Sequence, residues 1–214
     1  MKLAIYGSGG SGQEIYDLAV RCNSGKWSDI VFVDDFETND HKYLAKVIRF
    51  DALLENKNEF EVAISLGEPR ARKDLFEKLK SCGINLTKLI DPTAIISPSA
   101  SLGEGVVVFE YSIVHCGVRI GRNCLIQPYT GLGHGTIVGD HCVFSAHFSP
   151  AGGCQFGDCV FCGMHSFIKE GLKIGNNAVI AMGAGVFQDV QENSVVVGYP
   201  ARLSIKNSSG KVFG

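Results

Sequence analysis

A histidine framed by glycines, and a second glycine-rich segment after it, are the residues in this chain best suited to chemistry. His134 lies in the segment GLGHG (131–135), and Gly152 lies in the later segment AGG (151–153). An imidazole can accept a proton from an attacking amine or hydroxyl, and an exposed backbone N–H can stabilise an oxyanion. Acyl transfer needs both groups. The pair therefore predicts an acyl-transfer site, provided that residues at this spacing are spatial neighbours.

His147 and His165 have the same spacing in the sequence as His134 and Gly152. On the same reasoning they stack on each other, and they form either a second site or a stabilising pair of imidazoles. A single surface histidine is more often structural than catalytic. The glycines that bare the backbone around His134 favour it as the catalytic one.

These histidines fall in a stretch that repeats every six residues. Fifteen of its sixteen anchor positions carry apolar side chains, and small or β-branched residues dominate two positions before each anchor. A period of six fits neither an α-helix nor a simple strand, but it fits a parallel β-helix in which each unit is one short strand and a corner. Three units make one coil, which matches the spacing of the histidines, so the stretch predicts about five coils, roughly 24 Å tall. The anchors are Ile96, Leu102, Val108, Val114, Ile120, Ile126, Leu132, Val138, Phe144, Pro150, Phe156, Cys162, Ile168, Ile174, Ile180 and Val186.

The eight cysteines are explained mostly by this repeat. Cys162 is an anchor, and three others fill the small position before an anchor (Cys124, Cys142 and Cys154). Cys159 and Cys162 form a CxxC near histidines, which is a possible zinc pattern, but buried cysteines behave as small hydrophobic residues. We expect no metal. Cys116 and Cys142 are conceivable nucleophiles, although neither has a base at an evident spacing.

Composition excludes several classes of partner. The formal net charge is −2 and the pI about 6.3, which does not indicate a surface for nucleic acid or anionic membranes. The first residues, MKLAIYGSGG, meet glycine too early for a signal peptide. No window approaches the ~18 apolar residues of a membrane span. We therefore expect a soluble, cytoplasmic protein without a nucleic-acid or membrane partner.

Residues 1–90 indicate a small α/β, Rossmann-like domain that precedes the β-helix of residues 91–203. Alternation of strands and helices is typical of a short parallel sheet, and the pattern suggests about three strands. Residues 204–214 are polar, and we expect them to be a loosely held tail. The predicted strands are 3–6, 30–33 and 62–66, and the predicted helices are 13–22, 51–56 and 70–81.

Gly7, Gly9 and Gly12 form a G-x-G-x-x-G motif between the first strand and the first helix, and an acidic pair, Asp34 and Asp35, follows the second strand. Such glycines let a ligand approach the backbone, and the helix N-terminus attracts phosphate. A dinucleotide domain needs about six strands. The motif therefore favours a mononucleotide or nucleotide-sugar over NAD. The alternative is a tight turn that packs a helix on a sheet.

Taken together, these motifs resemble the bacterial left-handed β-helix acyltransferases. The similarity rests on YGSGGSG with VDD, ISLG before a helix, DPTAIISPSASLGEGV, the hexapeptides with GHG inside them, and VVVGYPAR, and it covers residues 1–203. Within that family the chain is most similar to the nucleotide-sugar N-acetyltransferases of bacillosamine and related pathways, close to the sialic-acid O-acetyltransferase group. The resemblance implies a left-handed coil and a homotrimer with active sites between adjacent β-helices. It also implies acetyl-CoA as the co-substrate.

The resemblance further implies a role for particular residues. His134 would be the general base, and Gly152 would contact the acetyl group. The coenzyme would run past Met164 and Met182 towards the 200–202 segment, with Lys173 and Arg202 near its phosphates. The residues that would contact the nucleotide are Gly9, Gly10, Ser11, Asp34, Asp35 and Gly67.

Three positions depart from the family pattern. An acidic residue often follows the catalytic histidine, whereas here Gly135 follows. A second histidine that some members carry would fall at Val143, and His147 from the next unit is the candidate replacement at the acetyl-CoA site. Glu68 stands where the family has Asn or Asp. These differences leave the substrate and the orientation of the base open.

We expect direct transfer of an acetyl group from acetyl-CoA to the amine of a UDP-, dTDP- or GDP-linked amino sugar. O-acetylation of a sugar or of sialic acid is the alternative. It depends more on the base, because a hydroxyl is a poorer nucleophile than an amine. Formyl transfer from a folate is a further alternative. Outside enzymes, the coil would be an assembly or ligand-sensing module, since a fold alone does not specify a function.

Overall fold

The computed structural model describes residues 1–213, which begin with a small α/β unit. Its strands are β1 (Lys2–Tyr6), β2 (Ile30–Val33), β3 (His41–Lys42), β4 (Ala45–Ile48) and β5 (Phe60–Ile64), and its helices are α1 (Gly10–Cys22), α2 (Phe50–Glu55) and α3 (Pro69–Ser81), with a 3-10 turn at Lys57–Glu59. The sheet order is β3-β4-β2-β1-β5, with β1 parallel to both β2 and β5. The predicted parallel sheet is therefore confirmed.

The sequence pattern missed two strands of this sheet. The sheet has five strands rather than about three, because β4 pairs in parallel with β2 and the two-residue β3 pairs antiparallel with β4. These strands are short and partly polar, so they carry little periodic signal. Helix α1 begins at Gly10, three residues before the predicted start, because the apolar pattern begins only after the glycines. Its apolar residues Ile15, Leu18 and Ala19 are buried, as the pattern indicated.

The rest of the chain winds into a three-sided parallel β-helix. Each strand from β6 to β22 has two residues. The first face contains β6 (Leu89–Ile90), β9 (Val107–Val108), β12 (Leu125–Ile126), β15 (Val143–Phe144), β18 (Phe161–Cys162) and β21 (Val179–Ile180). The second face contains β7 (Ile95–Ile96), β10 (Ile113–Val114), β13 (Gly131–Leu132), β16 (Ser149–Pro150), β19 (Phe167–Ile168) and β22 (Gly185–Val186). The third face contains β8 (Ser101–Leu102), β11 (Arg119–Ile120), β14 (Ile137–Val138), β17 (Gln155–Phe156) and β20 (Lys173–Ile174).

The strand register confirms that three hexapeptide units make one coil, as predicted. Val114 pairs with Leu132 and Ile120 pairs with Val138, in each case with three units between the partners. The anchors point inward and form one core with the small residues before them, although Ile96 and Leu102 in the first coil are only partly buried. The coil begins with β6, ahead of the predicted boundary at residue 91, and after Val186 the spacing shortens, since Val179 pairs with Val195.

Three rows of corners join the faces. We call the corner between the first and second faces the first corner (for example residues 145–148), that between the second and third faces the second corner (133–136), and that between the third and first faces the third corner (139–142). Residues separated by three units occupy the same position on successive coils. Each corner position therefore forms a column of residues that runs along the coil axis.

The α/β unit packs on the first face of the coil. Leu89, Val107, Leu125 and Val143 point outward from that face and are buried against residues of the sheet and of α1. The fully buried Arg72 of α3 joins the two parts: its guanidinium donates to Asn123 O at 3.0 Å and Asn123 Oδ1 at 2.8 Å, and to two carbonyls of the α/β unit.

The expectation of a loosely held tail over residues 204–214 was wrong for its described part, and Gly214 lies outside the described residues. Strand β24 (Arg202–Lys206) pairs antiparallel with β23 (Ser194–Val197). The N–H groups of Val212 and Phe213 donate to one carboxylate oxygen of Glu68 at 2.9 and 3.0 Å. The tail therefore folds back onto the N-terminus of α3.

Candidate active site

His134 lies at the second corner, where β13 ends. Its side chain is exposed, and its backbone carbonyl accepts a hydrogen bond from the N–H of Gly153 at 2.8 Å. The column through His134 contains Cys116 one coil before, Gly152 one coil after and Glu170 two coils after. Sequence reasoning set Cys116 aside for want of a base, but the repeat puts it one coil from His134.

The imidazole lies directly against Gly152. A Cβ built on Gly152 would lie 2.5 Å from both Cε1 and Nε2 of His134, and 2.9 Å from Cδ2. Real Cβ atoms do not approach other atoms this closely, so only glycine leaves room for the ring in this position. The structure thus brings together the histidine and the glycine that the sequence pairs.

The Gly152 amide is free to donate a hydrogen bond. The third corner shows the contrasting case, in a column formed by Arg122, Asp140, Asp158 and Asn176. The backbone N–H of each of the first three residues donates to the side-chain oxygen of the next residue in the column. The Asp140 N–H, for example, donates to Asp158 Oδ1 at 2.8 Å. Within residues 1–213, no acceptor takes the N–H of Gly152. This amide stands beside an imidazole in a solvent-accessible corner, where an oxyanion could be stabilised.

No carboxylate orients the His134 ring within the described chain, where the ring makes no hydrogen bond with any side chain. Gly135 follows it with φ +67°, a conformation that suits glycine. Cys142, the other cysteine considered as a nucleophile, is buried in the core, and burial raises the pKa of its thiol well above the ordinary value.

The N-terminus of α1 is open enough to receive an anion. No side chain caps the helix, and its first turn contains no acidic residue. A Cβ on Gly9 or on Gly10 would meet no atom within 4 Å, whereas a Cβ on Gly12 would collide with the carbonyl of Gly7. Gly12 is therefore needed for packing, while Gly9 and Gly10 leave the backbone near Ser11 open to a ligand.

Asp34 and Asp35 lie at the carboxyl end of β2, next to this helix N-terminus. Asp34 accepts hydrogen bonds from the Ser8 N–H at 3.0 Å and the Ser8 hydroxyl at 2.7 Å. Burial opposes ionisation of Asp34, but these bonds and those from the N–H groups of the following loop hold its pKa below the ordinary value. Asp35 accepts from the Tyr6 hydroxyl at 3.1 Å. Much of the hydrogen-bonding capacity of both carboxylates is therefore used to order the loop.

A cavity of about 220 Å³ adjoins the two aspartates. Gly67 follows the end of β5 on the same edge of the sheet, and a Cβ there would meet nothing within 4 Å. In an open parallel sheet, ligands bind at the carboxyl ends of the strands. The cavity is lined by Tyr6, Gly7, Asp34, Asp35, Phe36, Leu66 and Leu75.

The residues assigned to the coenzyme do not all come together. His147, Met164 and Met182 lie at the first corner, and the exposed fractions of the two methionines are 44% and 72%. Lys173 lies on β20 of the third face, and Arg202 lies on β24 beside the first face. All three first-corner residues are one face away from His134 in the same chain.

A second cavity, of about 330 Å³, separates α1 from the first corner. Arg21 closes one end, where its guanidinium donates to Asp91 at 2.6 Å and to Glu110 at 2.8 Å. Met164 lies at the opposite end, three coils further along the corner. The lining residues are Glu14, Asp17, Arg21, Phe109, Glu110, Gln127, Pro128, Ala146 and Met164.

The cysteines show no metal arrangement. Within residues 1–213 no cluster of three or more potential ligands is present, and every cysteine is a free thiol. Burial raises the pKa of Cys159 to about 11 and raises that of Cys162 well above the ordinary value. Protonated, buried thiols are poor metal ligands.

Comparison with known proteins agrees with this architecture. Residues 2–79 match the PglD N-terminal domain, and residues 117–147 match the bacterial transferase hexapeptide repeats. One family model thus matches the α/β unit, and the other matches repeats of the coil. The family resemblance and the fold class of an α/β unit followed by a left-handed β-helix are thereby confirmed, and the chain is an acyltransferase.

Several relatives of this hexapeptide transferase are similar over most of its length. The GDP-perosamine N-acetyltransferase of Escherichia coli is 27% identical over 192 residues, which cover 85% of this chain and 82% of that protein. The acetyltransferase domain of PglB from Neisseria gonorrhoeae has a TM-score of 0.89 and 27% identity, covering 95% of this chain and 99% of that one; the same domain is known in complex with acetyl coenzyme A. PerB from Caulobacter crescentus has a TM-score of 0.86 at 24% identity, covering 95% and 97% of the two chains, and supports the fold alone.

None of the helices described in residues 1–213 is long and apolar enough to cross a membrane.

Proposed function

We propose that this protein is an acetyl-CoA-dependent N-acetyltransferase that acts on the amine of a nucleotide-linked amino sugar. One structural observation carries the proposal: the imidazole of His134 lies against Gly152, whose amide is free. The relatives support the chemistry, since one is named as a GDP-perosamine N-acetyltransferase and another binds acetyl coenzyme A.

The proposed reaction is direct transfer. The neutral sugar amine attacks the thioester carbon, and the N–H of Gly152 donates to the oxyanion that forms. His134 accepts the proton that the nitrogen loses. The carbon–sulfur bond then breaks, and the imidazolium returns the proton to the departing CoA thiolate. No covalent enzyme intermediate is needed, because the thioester is already activated and the site supplies position.

The nucleotide is proposed to bind at the N-terminus of α1. The open backbone at Gly9, Gly10 and Ser11 would receive the phosphates, because uncapped N–H groups and the helix dipole both favour anions. The base would occupy the cavity beside Asp34 and Asp35, near Gly67.

The complete site is proposed to form between copies of the chain. His134 is at the second corner, whereas Met164 and Met182, proposed to lie along the coenzyme, are at the first corner. One face of the coil separates the two corners, so a single chain cannot put them around one thioester. Packing the first corner of one copy against the second corner of its neighbour would unite them, and repeating that contact around an axis would give a trimer.

The test is a free-thiol release assay with acetyl-CoA and a panel of UDP-, dTDP- and GDP-linked amino sugars, plus free sialic acid. We expect release with at least one amino sugar, and a loss of roughly 10²- to 10⁴-fold in His134→Ala, the range associated with a general base. The variant should fold normally, because the His134 side chain is exposed. Release with sialic acid alone would instead indicate O-acetylation. Full activity in His134→Ala would refute the role of the imidazole.

A further inference from the structure

A column of stacked rings runs along the first corner. Its members are Tyr111, Tyr129, His147 and His165, each three residues after an anchor and one full coil from the next. Tyr129 stacks on His147 with ring centroids 4.8 Å apart and an interplanar angle of 2°, and His147 stacks on His165 at 4.5 Å and 7°. Tyr111 stacks on Tyr129 at 5.2 Å. We call this set the ring column.

The ring column stops at a glycine. The next position, one coil beyond His165, is Gly183, and a Cβ there would meet nothing within 4 Å. One face of the His165 ring is covered by His147, while its outer face looks onto this open level. Both faces of His147 are already covered, so His147 presents only its ring edge to any ligand.

Nothing in the described chain fills that level. Tyr199 lies at the corresponding position of the following turn, three residues after the inward-facing Val196, but its ring packs on Phe167 and Phe187 with centroids 5.6 Å away in each case. The aromatic stack therefore ends in an accessible ring face beside the exposed Met182. A flat ring seated above Gly183 would continue the stack.

We propose that the outer face of His165, above Gly183, binds the adenine ring of acetyl-CoA by stacking. This inference rests on the proposed function, and it locates the adenine end of the coenzyme on this chain. Stacking on an aromatic face suits any flat heterocycle. The position of His165 must therefore decide between the adenine of acetyl-CoA and the nucleobase of the sugar nucleotide. The α/β unit packs on the coils from Val107 to Phe161, whereas Gly183 lies more than one coil beyond Phe161, near the end of the coil.

The position also suits the length of the coenzyme. Gly152 and Gly183 are less than two coils apart, which is below roughly 10 Å along the coil axis. A pantetheine arm can cover that rise and the crossing from the second corner of one copy to the first corner of the next. The thioester would then reach His134 while the adenine stays at the ring column.

Gly183→Tyr is the decisive variant, because it fills the open level with a ring of the protein's own. The backbone at this corner position already accepts tyrosine: φ is +68° at Gly183, +56° at Tyr111 and +59° at Tyr129. The variant should therefore fold, which thermal unfolding would check. We expect KM for acetyl-CoA to rise at least about fivefold, the low end of the range for loss of one base stack, with kcat and KM for the amino sugar unchanged.

A truncated donor isolates the adenine. S-acetyl-N-acetylcysteamine carries the thioester without the nucleotide, so Gly183→Tyr should leave its turnover unchanged. His165→Asn removes the stacking face at a positive-φ position that asparagine tolerates, and it should weaken acetyl-CoA by a similar factor, while His165→Phe should restore binding. Tyr111→Asn removes a ring at the opposite end of the ring column and should have no effect on KM for acetyl-CoA.

Calorimetry with adenosine 3′,5′-bisphosphate measures binding at the proposed adenine site without any need for turnover. Weaker binding to Gly183→Tyr than to wild type supports the inference even if no sugar in the panel is acetylated, an outcome that would remove only the proposed function. Equal binding to both proteins, a rise in KM for the sugar nucleotide instead of acetyl-CoA, or an equal loss with the truncated donor would each overturn it.

Discussion

Replacing Gly152 by alanine tests the geometry of the site with a single methyl group. The added Cβ would lie 2.5 Å from two atoms of the His134 ring, well inside contact distance. Gly152 has no positive φ, so its backbone accepts alanine without strain. The ring must then move by about 1 Å or more to restore normal contact. Because His134 is exposed, it can swing into solvent at little cost, and we expect folding stability to change by less than about 0.5 kcal/mol.

Activity should respond far more strongly than stability. A displacement of about 1 Å from the reactive position can cost roughly 10²-fold in rate, which corresponds to about 2.7 kcal/mol of transition-state stabilisation. We therefore expect kcat/KM of Gly152→Ala to fall about 100-fold in the thiol-release assay, mostly through kcat. The matched control is Gly131→Ala on the second face, just before the same corner, where an added Cβ would meet nothing within 4 Å. This control should keep wild-type activity.

A double-mutant cycle separates two explanations for such a loss. If the methyl acts by displacing the imidazole, Gly152→Ala should cost almost nothing further in a His134→Ala background, since no ring remains to be moved. A further 100-fold loss in that background would mean that the methyl blocks the co-substrate directly. That result, or unchanged activity of Gly152→Ala, would refute the reasoning.

Three other predictions address stability and mechanism. Arg72→Met should lower the free energy of unfolding by about 3 kcal/mol in urea denaturation, because it leaves the buried acceptors of Asn123 and two carbonyls unpaired. A loss below about 1 kcal/mol would contradict this, and Arg119→Met, at an exposed position, is the control. Burial lowers the pKa of His141 from 6.5, so the unfolded chain binds the proton more readily than the folded one. Stability should therefore fall as pH drops through 6.5 towards the lower folded-state pKa. In thermal unfolding between pH 5 and 7, the stability of His141→Asn should depend less on pH than that of the wild type. Cys116→Ser should retain most activity, whereas loss of activity together with an acetylated cysteine in wild type by mass spectrometry would replace direct transfer by a covalent route.

The repeat of six made the β-helix predictable from sequence. A closed coil requires an inward apolar residue at every sixth position, so a fixed spacing from Ile96 to Val186 leaves few other folds. The same arithmetic predicts which residues are stacked, and for this reason the contacts of His134 with Gly152 and of His147 with His165 were predictable. The glycine motif located the N-terminus of α1 because it combines tight packing with an open backbone.

Other features have no comparable periodic signal. Strands β3 and β4 have only two and four residues, too few for an alternating pattern to be recognised in the sequence. The docking of Val212 on Glu68 joins residues far apart in the sequence. The apolar residues that face outward under the α/β unit, such as Val107 and Leu125, resemble ordinary strand residues until the packing of α1 is known. Arg72 has the sequence pattern of a surface helix residue, yet it is fully buried, because its partners lie on another part of the fold.

The columns of the coil also distinguish structural positions from candidate sites. In the column from Arg122 to Asn176, each side chain after the first satisfies the backbone of its neighbour, and no open level remains for a ligand. The columns through His134 and His165 are different, since the residue after each imidazole is a glycine: Gly152 has a free amide, and Gly183 has open space around it. A glycine that interrupts a satisfied column removes a contact that the coil otherwise provides. Such an interruption next to an imidazole is best explained by a ligand that supplies the missing contact. This is why we place the thioester at Gly152 and the adenine at Gly183.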